Sequence, residues 1–398
     1  MKTFATSAIL VATLVAGTVT PAFALEPNNH VYVLTGNVRD HNVQETKPRK
    51  HKEPAPEVKK PNLPAPKAQK PKAQTPAPKP KAPVVARHGA VRKGDTAYVV
   101  VSAATLWKSP SSPRKQDAPA LQNPAKLDEW NRNMKDRKGL TGRTETQAIY
   151  GDPVYVWEVR GAWARVGVNT EPAPGKRRGY EAWVPKRQLA KSPAFKSASK
   201  KMTHVVTVKK SRAYVKAEPT KTTGRTKIEV PFNTRLPITN TRNGKARVAL
   251  PDNRYGWISL KDVKRFDQRK KRPKPKPSQL VKTSRQFVGL KYTWGGTSSY
   301  GFDCSGFTYS IYRAHGITIP RDSGPQSKAG RTVSQRSMQP GDLIFFASKR
   351  GKGSVYHVGM YIGNGKMIHA PNASRSVEIV KWKSWGGARD FAGVKRFV

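Results

Sequence analysis

Apolar and polar residues alternate over short runs between about residues 92 and 266. The run from Thr96 to Thr105 is rich in β-branched residues, and the runs Val154–Val159 and Trp163–Val168 flank a turn at Arg160–Ala162. Such alternation is typical of half-buried β-strands. We therefore expect this part of the chain to fold as short strands joined by turns.

Part of this strand pattern occurs twice. Ala164–Val166 followed by Tyr180–Val184 is echoed by Ala246–Val248 followed by Tyr255–Ile258. Each pair is followed by a basic turn and an apolar residue. A motif repeated at this distance predicts two copies of one small β-barrel.

Helical spacing appears inside the first copy. Between Pro119 and Leu140, apolar residues lie at Leu127, Trp130 and Met134. This spacing predicts a short helix, and hence a barrel with a helical insert.

A second helical pattern follows Cys304. Phe307, Ile311 and Ala314 recur at helical spacing, and Gly316 is a typical residue just beyond a helix end. Cys304 is therefore expected to begin a helix of about three turns, where free backbone N–H groups stabilise an anion and lower a thiol pKa.

A hairpin is predicted near the C-terminus. His357 opens an alternating run, and Gly363–Gly365 then predicts a turn before His369. A three-residue loop would pair His369 with Gly359 and place both histidines on one face of the sheet. A two-residue loop would pair His369 with Met360 and place them on opposite faces.

Charge adds an expectation about partners. The chain has 75 Lys and Arg against 25 Asp and Glu, a formal net charge of +50. Such a chain is attracted to polyanions. We expect anionic envelope polymers, bound through a basic spacer, and no specific nucleic acid, because the charge is heaviest in linkers and lacks the stacked aromatics of single-strand binders.

The N-terminus indicates the compartment. Ala8–Val19 is apolar but too short to span a bilayer, and Ala22–Ala24 is a small-x-small cleavage site. Residues 1–24 are thus expected to be a signal peptide, with no transmembrane anchor after processing. The protein is expected to be secreted, either to the periplasm or to the extracellular space and cell wall.

Composition sets the remaining boundaries. Residues 25–90 read as a disordered Lys/Pro-rich spacer and residues 268–277 as a basic linker. The folded parts are then 91–192, 200–267 and 278–398.

Candidate chemistry centres on Cys304, the only cysteine of the chain. A lone thiol in a secreted protein suggests a chemical role, although it could also be a small buried apolar residue. His357 and His369 are candidate partners. No cofactor is expected, and the scattered histidines lack metal-ligand spacing.

Six motifs follow one another in the last part of the chain: Tyr292–Thr297, Gly301–Gly306, Pro320–Ser323, Gln339–Leu343, His357–Gly359 and Ile368–Ala370. Their order resembles that of the NlpC-type papain-like cysteine peptidases of bacterial cell walls. Upstream lie Ala103–Trp107, the insert from Asp117 to Trp130, Gly142–Gln147, Gly179–Tyr180 and Trp183–Pro185. With these, the chain resembles the γ-D-glutamyl-L-diamino-acid endopeptidases of this family, which carry two bacterial SH3-like domains.

The resemblance implies an α+β fold: a papain-like antiparallel sheet of four to six strands with packed helices, after two small SH3-like β-barrels and the disordered basic segment. It also implies that Cys304 is the nucleophile, His357 the base and His369 the group that orients His357. The backbone N–H of Cys304, with the Tyr292 hydroxyl, would stabilise the oxyanion.

The resemblance further implies a pocket for a free N-terminal L-Ala amine, with Arg321 pairing the glutamate α-carboxylate and Ser323 beside it. Two alternatives remain open: Asp303 could simply cap the helix, and Arg321 could be a solvated cation. The residues matching the amine pocket are Glu145, Tyr180, Tyr292, Asp303 and Ser305.

The expected function is cleavage of the γ-D-glutamyl-L-diamino acid bond in peptidoglycan stem peptides with a free L-Ala end. The alternatives are a non-catalytic wall-binding protein, which would not need Cys304, His357 and His369 together, and an amidase or acyltransferase of the same fold.

Overall fold

The computed structural model describes residues 90–219 and 226–398. The expected signal peptide, and the expected spacer apart from its last residue, lie outside the described residues.

The first domain is a seven-stranded antiparallel sheet in the order β3-β2-β6-β5-β4-β1-β7. Its inward residues are mostly Val and Ala, which fit the tight interior of a small barrel. Its strands are β1 (Thr96–Val99), β2 (Ala103–Trp107), β3 (Thr144–Ile149), β4 (Pro153–Arg160), β5 (Trp163–Val168), β6 (Tyr180–Pro185) and β7 (Leu189–Ala190).

The predicted helical insert lies between β2 and β3. Helix α1 (Leu127–Asn133) buries Leu127 and Trp130, and Met134 directly follows it. The indole N–H of Trp130 donates to Asp117 Oδ1 at 2.8 Å, which satisfies the polar atom of an otherwise apolar anchor. Helix α2 (Pro193–Lys201) then leads to the second domain.

The second domain repeats the first. Its sheet order, β10-β9-β13-β12-β11-β8-β14, is the first order with every strand number raised by seven. Ala246 pairs with Ile258 as Ala164 pairs with Val184, so the predicted repeat is confirmed. The strands are β8 (His204–Val208), β9 (Arg212–Ala217), β10 (Lys227–Pro231), β11 (Arg235–Arg242), β12 (Lys245–Ala249), β13 (Tyr255–Ser259) and β14 (Val263–Asp267).

The third domain holds helices α3 (Pro277–Arg285), α4 (Cys304–Ala314) and α5 (Ser323–Lys328), and the short pair β15 (Thr297–Ser298) and β16 (Gly301–Phe302). Its main sheet is antiparallel with the order β17-β22-β18-β19-β20-β21. The expected α+β fold is confirmed for the described residues. The six strands are β17 (Arg331–Val333), β18 (Leu343–Ala347), β19 (Val355–Gly363), β20 (Lys366–His369), β21 (Glu378–Lys381) and β22 (Phe391–Arg396).

Helix α4 packs against β19, and both contribute to one apolar cluster. The expected basic linker contains neither helix nor strand from Gln268 to Lys276. None of the helices in the described ranges has the length and apolar character that a membrane crossing requires.

Candidate active site

Cys304 is the first residue of α4, as the sequence predicts. The preceding Asp303 is the N-cap, and its Oδ1 accepts from the Gly306 N–H at 2.6 Å. Gly306 is required because a Cβ there would lie 2.0 Å from the Gly296 carbonyl oxygen. The helix start is therefore pressed against the chain segment at Gly296.

The thiol is buried, and this overturns one sequence-based expectation. Burial and the nearby charge of Asp303 raise the pKa of Cys304 to about 12. The backbone N–H groups of Val358 and Ser305 and the charge of Arg321 act in the opposite direction but are weaker. The expected lowering of the pKa by the helix N-terminus is thus wrong for the substrate-free site, where Cys304 is a neutral thiol.

The two histidines lie on one face of the sheet, by a route that the sequence did not predict. The loop between β19 and β20 has two residues, Asn364 and Gly365, both with positive φ. Ile362 is an extra residue between two paired positions, a β-bulge that restores the register of a three-residue loop. A Cβ on Gly359 would therefore lie 3.4 Å from the His369 Cβ.

The histidine rings form one hydrogen-bonded pair, with His357 Nε2 2.8 Å from His369 Nδ1. The Trp385 ring packs against both, with ring centroids 4.8 Å from His357 and 5.1 Å from His369. Burial lowers the pKa of His357 to about 3 and, with the neighbouring His357, that of His369 to about 2. Both rings are therefore neutral at pH 7.

Glu378 lies directly opposite His369 in the pairing of β20 with β21. Its Oε1 is 3.2 Å from His369 Nε2, and both atoms are buried without a hydrogen bond of standard geometry. The other oxygen, Oε2, accepts from Arg375 at 2.6 Å. Cross-strand pairing thus places a carboxylate behind the histidine pair.

The Cys304 thiol and the histidine rings pack against different residues of the sheet. Val358 packs in the same apolar cluster as Cys304, whereas His357 contacts Trp385 and Phe346. Within the described residues, no hydrogen bond joins the thiol to either ring; the sulfur lies against the Val358 amide, which directly follows His357. Hydrogen bonds between catalytic groups are often long before substrate binds.

A second group of site residues is acidic. The Tyr180 hydroxyl donates to Glu145 Oε2 at 3.5 Å and also interacts with Asp322. Burial raises the pKa of Glu145 and of Asp322, and the charge of Asp322 adds to the shift at Glu145. The first SH3-like domain supplies Glu145 and Tyr180, and the third domain supplies Asp322. The protein's own cations offset part of this repulsion: Arg321 Nη1 lies 3.4 Å from Asp322 Oδ1, and the charge of Lys108 acts on Glu145.

Arg321 is buried, with 1% of its side chain exposed. Its Nη2 lies 2.7 Å from Asp303 Oδ2, and its Nη1 lies 3.1 Å from both Asp303 Oδ1 and Ser305 Oγ. In the substrate-free site the guanidinium group of Arg321 is thus paired with Asp303, and its expected contact with a substrate carboxylate stays a prediction. Asp303 is likewise occupied, as the alternative of a helix cap anticipates.

Two further expected residues, Tyr292 and Ser305, lie beside Cys304. Tyr292 is buried, and burial raises its pKa well above the ordinary value, so its phenol stays protonated. Ser305 Oγ donates to Asp303 Oδ1 at 3.3 Å. Ser323 is the half-buried first residue of α5.

Hydrogen bonds from strand β3 hold Glu145 in place. Thr144 Oγ1 donates to the Trp294 carbonyl at 2.9 Å, and the Gln147 carbonyl accepts from Thr297 Oγ1 at 2.7 Å. Gly295, with φ +73°, lies so close that a Cβ would be 3.2 Å from the Glu145 carbonyl carbon. The position of Glu145 therefore depends on the contact between the first and third domains.

Sequence reasoning missed three residues: Asp322, Glu378 and Trp385. Asp322 lies inside a recognised motif, which was a usable signal, whereas the other two approach the histidines only through sheet pairing and packing. Across residues 90–219 and 226–398, no group of three His, Cys, Asp or Glu side chains is arranged to hold a metal ion.

The raised thiol pKa predicts slow alkylation of Cys304. Because the chain has one cysteine, iodoacetamide reports this residue alone. At pH 7 we expect the rate to be about a hundredfold below that of the urea-unfolded chain, and to rise steadily with pH. A fast rate that stays constant down to pH 5 would show instead a preformed thiolate–imidazolium pair.

Comparison with known proteins agrees with this geometry. The profile of the NlpC/P60 family matches residues 289–396, and that of the YKFC SH3b2 domain matches residues 208–266. A crystal structure of an NlpC/P60 family protein from Bacillus cereus covers 76% of this chain and 99% of its own, with a TM-score of 0.73 and 42% identity.

Two curated relatives extend the match over most of the chain. The γ-D-glutamyl-L-lysine dipeptidyl-peptidase of Bacillus cereus is 42% identical over 315 residues, which are 78% of this chain and 93% of the relative. The protein of the same name from Bacillus subtilis is 36% identical over 304 residues, 75% of this chain and 98% of the relative. The chain therefore belongs to the NlpC/P60 family of cysteine peptidases.

Proposed function

We propose that this protein cleaves the bond between γ-D-glutamate and the L-diamino acid of peptidoglycan stem peptides that carry a free N-terminal L-Ala. The names of the two Bacillus relatives support this reaction and favour L-lysine as the diamino acid. The pattern of residues 1–24 supports secretion, which would bring the enzyme to such peptides.

The observation that carries the proposal is the acidic pocket built from two domains. Glu145, Asp322 and Tyr180 offer an ammonium group three acceptors. A peptide longer at its N-terminus has no ammonium at this point, and it would meet the wall formed by the first SH3-like domain. The pocket therefore favours short peptides already freed from glycan.

Cys304 is the proposed nucleophile. Its sulfur attacks the carbonyl carbon of the γ-glutamyl amide while the thiol proton passes to His357. Because both groups are neutral beforehand, proton transfer accompanies the attack. His357 then returns the proton to the leaving amine, and water hydrolyses the thioester to release L-Ala-γ-D-Glu. The backbone N–H of Cys304 and the protonated Tyr292 hydroxyl would stabilise the oxyanion.

Glu378 is proposed to set the tautomers of both histidines. A carboxylate can only accept, so His369 presents Nε2–H to Glu378 and its Nδ1 carries a lone pair. His357 must then donate through Nε2, which leaves the lone pair on its Nδ1 free to take the thiol proton. The opposite arrangement would direct a lone pair at a carboxylate and leave His357 without basic Nδ1. Glu378 is thus a positioning residue.

The central test uses the tripeptide L-Ala-γ-D-Glu-L-Lys. We expect L-Ala-γ-D-Glu and free lysine as products by mass spectrometry, and no turnover after acetylation of the N-terminus, because the acidic pocket then lacks its ammonium. The diaminopimelate peptide tests selectivity at the third position.

Cys304→Ala is the control and should be inactive. Residual cleavage by Cys304→Ala, or equal activity of the wild type on intact cross-linked wall, would contradict the proposal. A wild type inert on every stem peptide would favour a wall-binding role.

Loss of the acceptor at Glu378 is predicted to affect the chemical step. Glu378→Leu should lower kcat by roughly 10- to 100-fold with little change in KM, as is typical for residues that orient a catalytic ligand. Imidazole ¹⁵N shifts should show loss of the His357 Nε2–H tautomer.

Arg375→Ala is the matched control, because it removes the cation beside Glu378 and keeps the acceptor. If the Leu variant keeps both wild-type kcat and the wild-type tautomer, Glu378 has no positioning role.

The pocket acids are predicted to act on binding. Glu145→Gln or Asp322→Asn should raise KM for the free tripeptide by about 10- to 100-fold, because each removes a charge-assisted hydrogen bond to the substrate ammonium. Glu158→Gln changes a half-buried acid that is paired with Arg160 outside the site, and it should have no effect.

The pH profile follows from the same groups. Since the pKa of Glu145 is raised, kcat/KM should fall as acidification protonates this carboxyl, and this limb should change in Glu145→Gln. At high pH, kcat/KM should fall near pH 8 as the substrate α-amine loses its proton. An acid limb identical in wild type and variant would disprove the assignment.

A further inference from the structure

A cavity of about 730 Å³ lies where the three folded domains and the basic linker meet. None of the active-site residues described above lines it. The linker segment Lys270–Pro275 forms part of one wall, and the residues just beyond the C-terminal end of α4 form another. The linker therefore packs against the folded domains and forms part of the cavity wall.

The cavity is strongly cationic. Its wall contains two carboxylates, Asp152 and Asp267. Six cationic side chains face them: Arg235, Lys270, Lys271, Arg272, Lys274 and Arg313.

Both carboxylates already have partners. Asp152 is paired through both oxygens with Arg313, which is buried with it. Asp267 Oδ1 accepts from the backbone N–H of Arg269 at 3.0 Å and lies 3.4 Å from its Nε. The charge of Asp152 also acts on Arg235, but neither acid forms an ion pair with the other cavity cations.

Arg272 is held rigidly without an anionic partner. Its guanidinium lies 3.8 Å from the centre of the Phe266 ring, and its stem packs so closely on Gly316 that a Cβ there would be 2.5 Å from Cδ. Its Nη2 is buried and has no hydrogen-bond partner. Arg272 thus lines the cavity with one guanidinium nitrogen that has no acceptor among the described residues.

The positive charges of Arg235 and Arg272 repel each other. Burial and the charge of Arg235 lower the pKa of Arg272 to about 10, and Arg235 itself is an exposed residue at the start of β11. Within the described part of the chain, neither Arg235 nor Arg272 forms an ion pair with a carboxylate. Two guanidinium groups that repel each other across a cavity would be stabilised by an anion between them.

We propose that this cavity binds phosphate groups of an anionic phosphodiester polymer, with Arg235 and Arg272 as the main ligands. A guanidinium pairs with phosphate through parallel hydrogen bonds, and the tetrahedral phosphate can bridge donors on two walls, which a planar carboxylate does less well. The cavity is much larger than one phosphate ion. The lysines at positions 270, 271 and 274 could accompany further phosphates of the same chain.

The test is calorimetric titration of the full-length protein, without peptide substrate, at constant ionic strength. Inorganic phosphate should bind at one saturable site. Oligomers of glycerol phosphate should bind more tightly as their length increases. If phosphate binds but affinity does not increase with oligomer length, the site binds the free ion and the proposed polymer is wrong.

Charge-matched variants separate this site from general attraction to a basic protein. Arg235→Gln with Arg272→Gln should weaken binding by about tenfold or more, the loss of charge-assisted hydrogen bonds. Lys216→Gln with Lys245→Gln removes the same charge from exposed positions outside the cavity and should change little. Arg272→Lys keeps the charge but loses the paired N–H donors of the guanidinium group, so its affinity should be intermediate. This single variant replaces the double variant if the latter does not fold.

Equal weakening in both double variants, or no saturable component in the wild type, would overturn the proposal. Because the readout is binding alone, it does not depend on the peptidase activity proposed above.

Discussion

The buried guanidinium of Arg321 joins the parts on which the site depends. It pairs with both oxygens of Asp303, and its Nε donates to Thr146 Oγ1 at 3.0 Å. A buried cation is tolerated only when its N–H groups find acceptors, and removal of one partner typically costs about 3–5 kcal/mol. The N-cap of the cysteine helix and strand β3 of the first SH3-like domain must therefore meet at Arg321.

The hydrogen-bond network around Arg321 extends into the first SH3-like domain, away from the thiol. Thr146 Oγ1 donates to Glu171 Oε2 at 2.6 Å, and burial raises the pKa of Glu171 to about 7. The loop that carries Glu171 also supplies the Pro172 carbonyl, which accepts a hydrogen bond from the backbone N–H of Arg321 at 3.1 Å. The first SH3-like domain thus acts as a wall of the site, because its polar groups complete a network that the third domain cannot satisfy alone.

Much of this arrangement could be predicted from the sequence. Alternating strands, the repeated barrel motif and the helix that begins at Cys304 all follow from local periodicity. The sequence left the register of the histidine hairpin open between a two-residue and a three-residue loop, and the structure combines a two-residue loop with a β-bulge at Ile362. Local sequence indicates the faces of an element but not where a strand takes up an extra residue.

By itself, the sequence determined the order of the domains, the elements that carry the reactive residues and the family to which they belong. Only the tertiary structure decided their surroundings: the thiol is neutral because it is buried, Arg321 is committed to Asp303, and Glu378 stands behind the histidine pair. Burial, ion pairing and cross-strand contact arise between residues distant in the chain, and their energies depend on packing that no local pattern records.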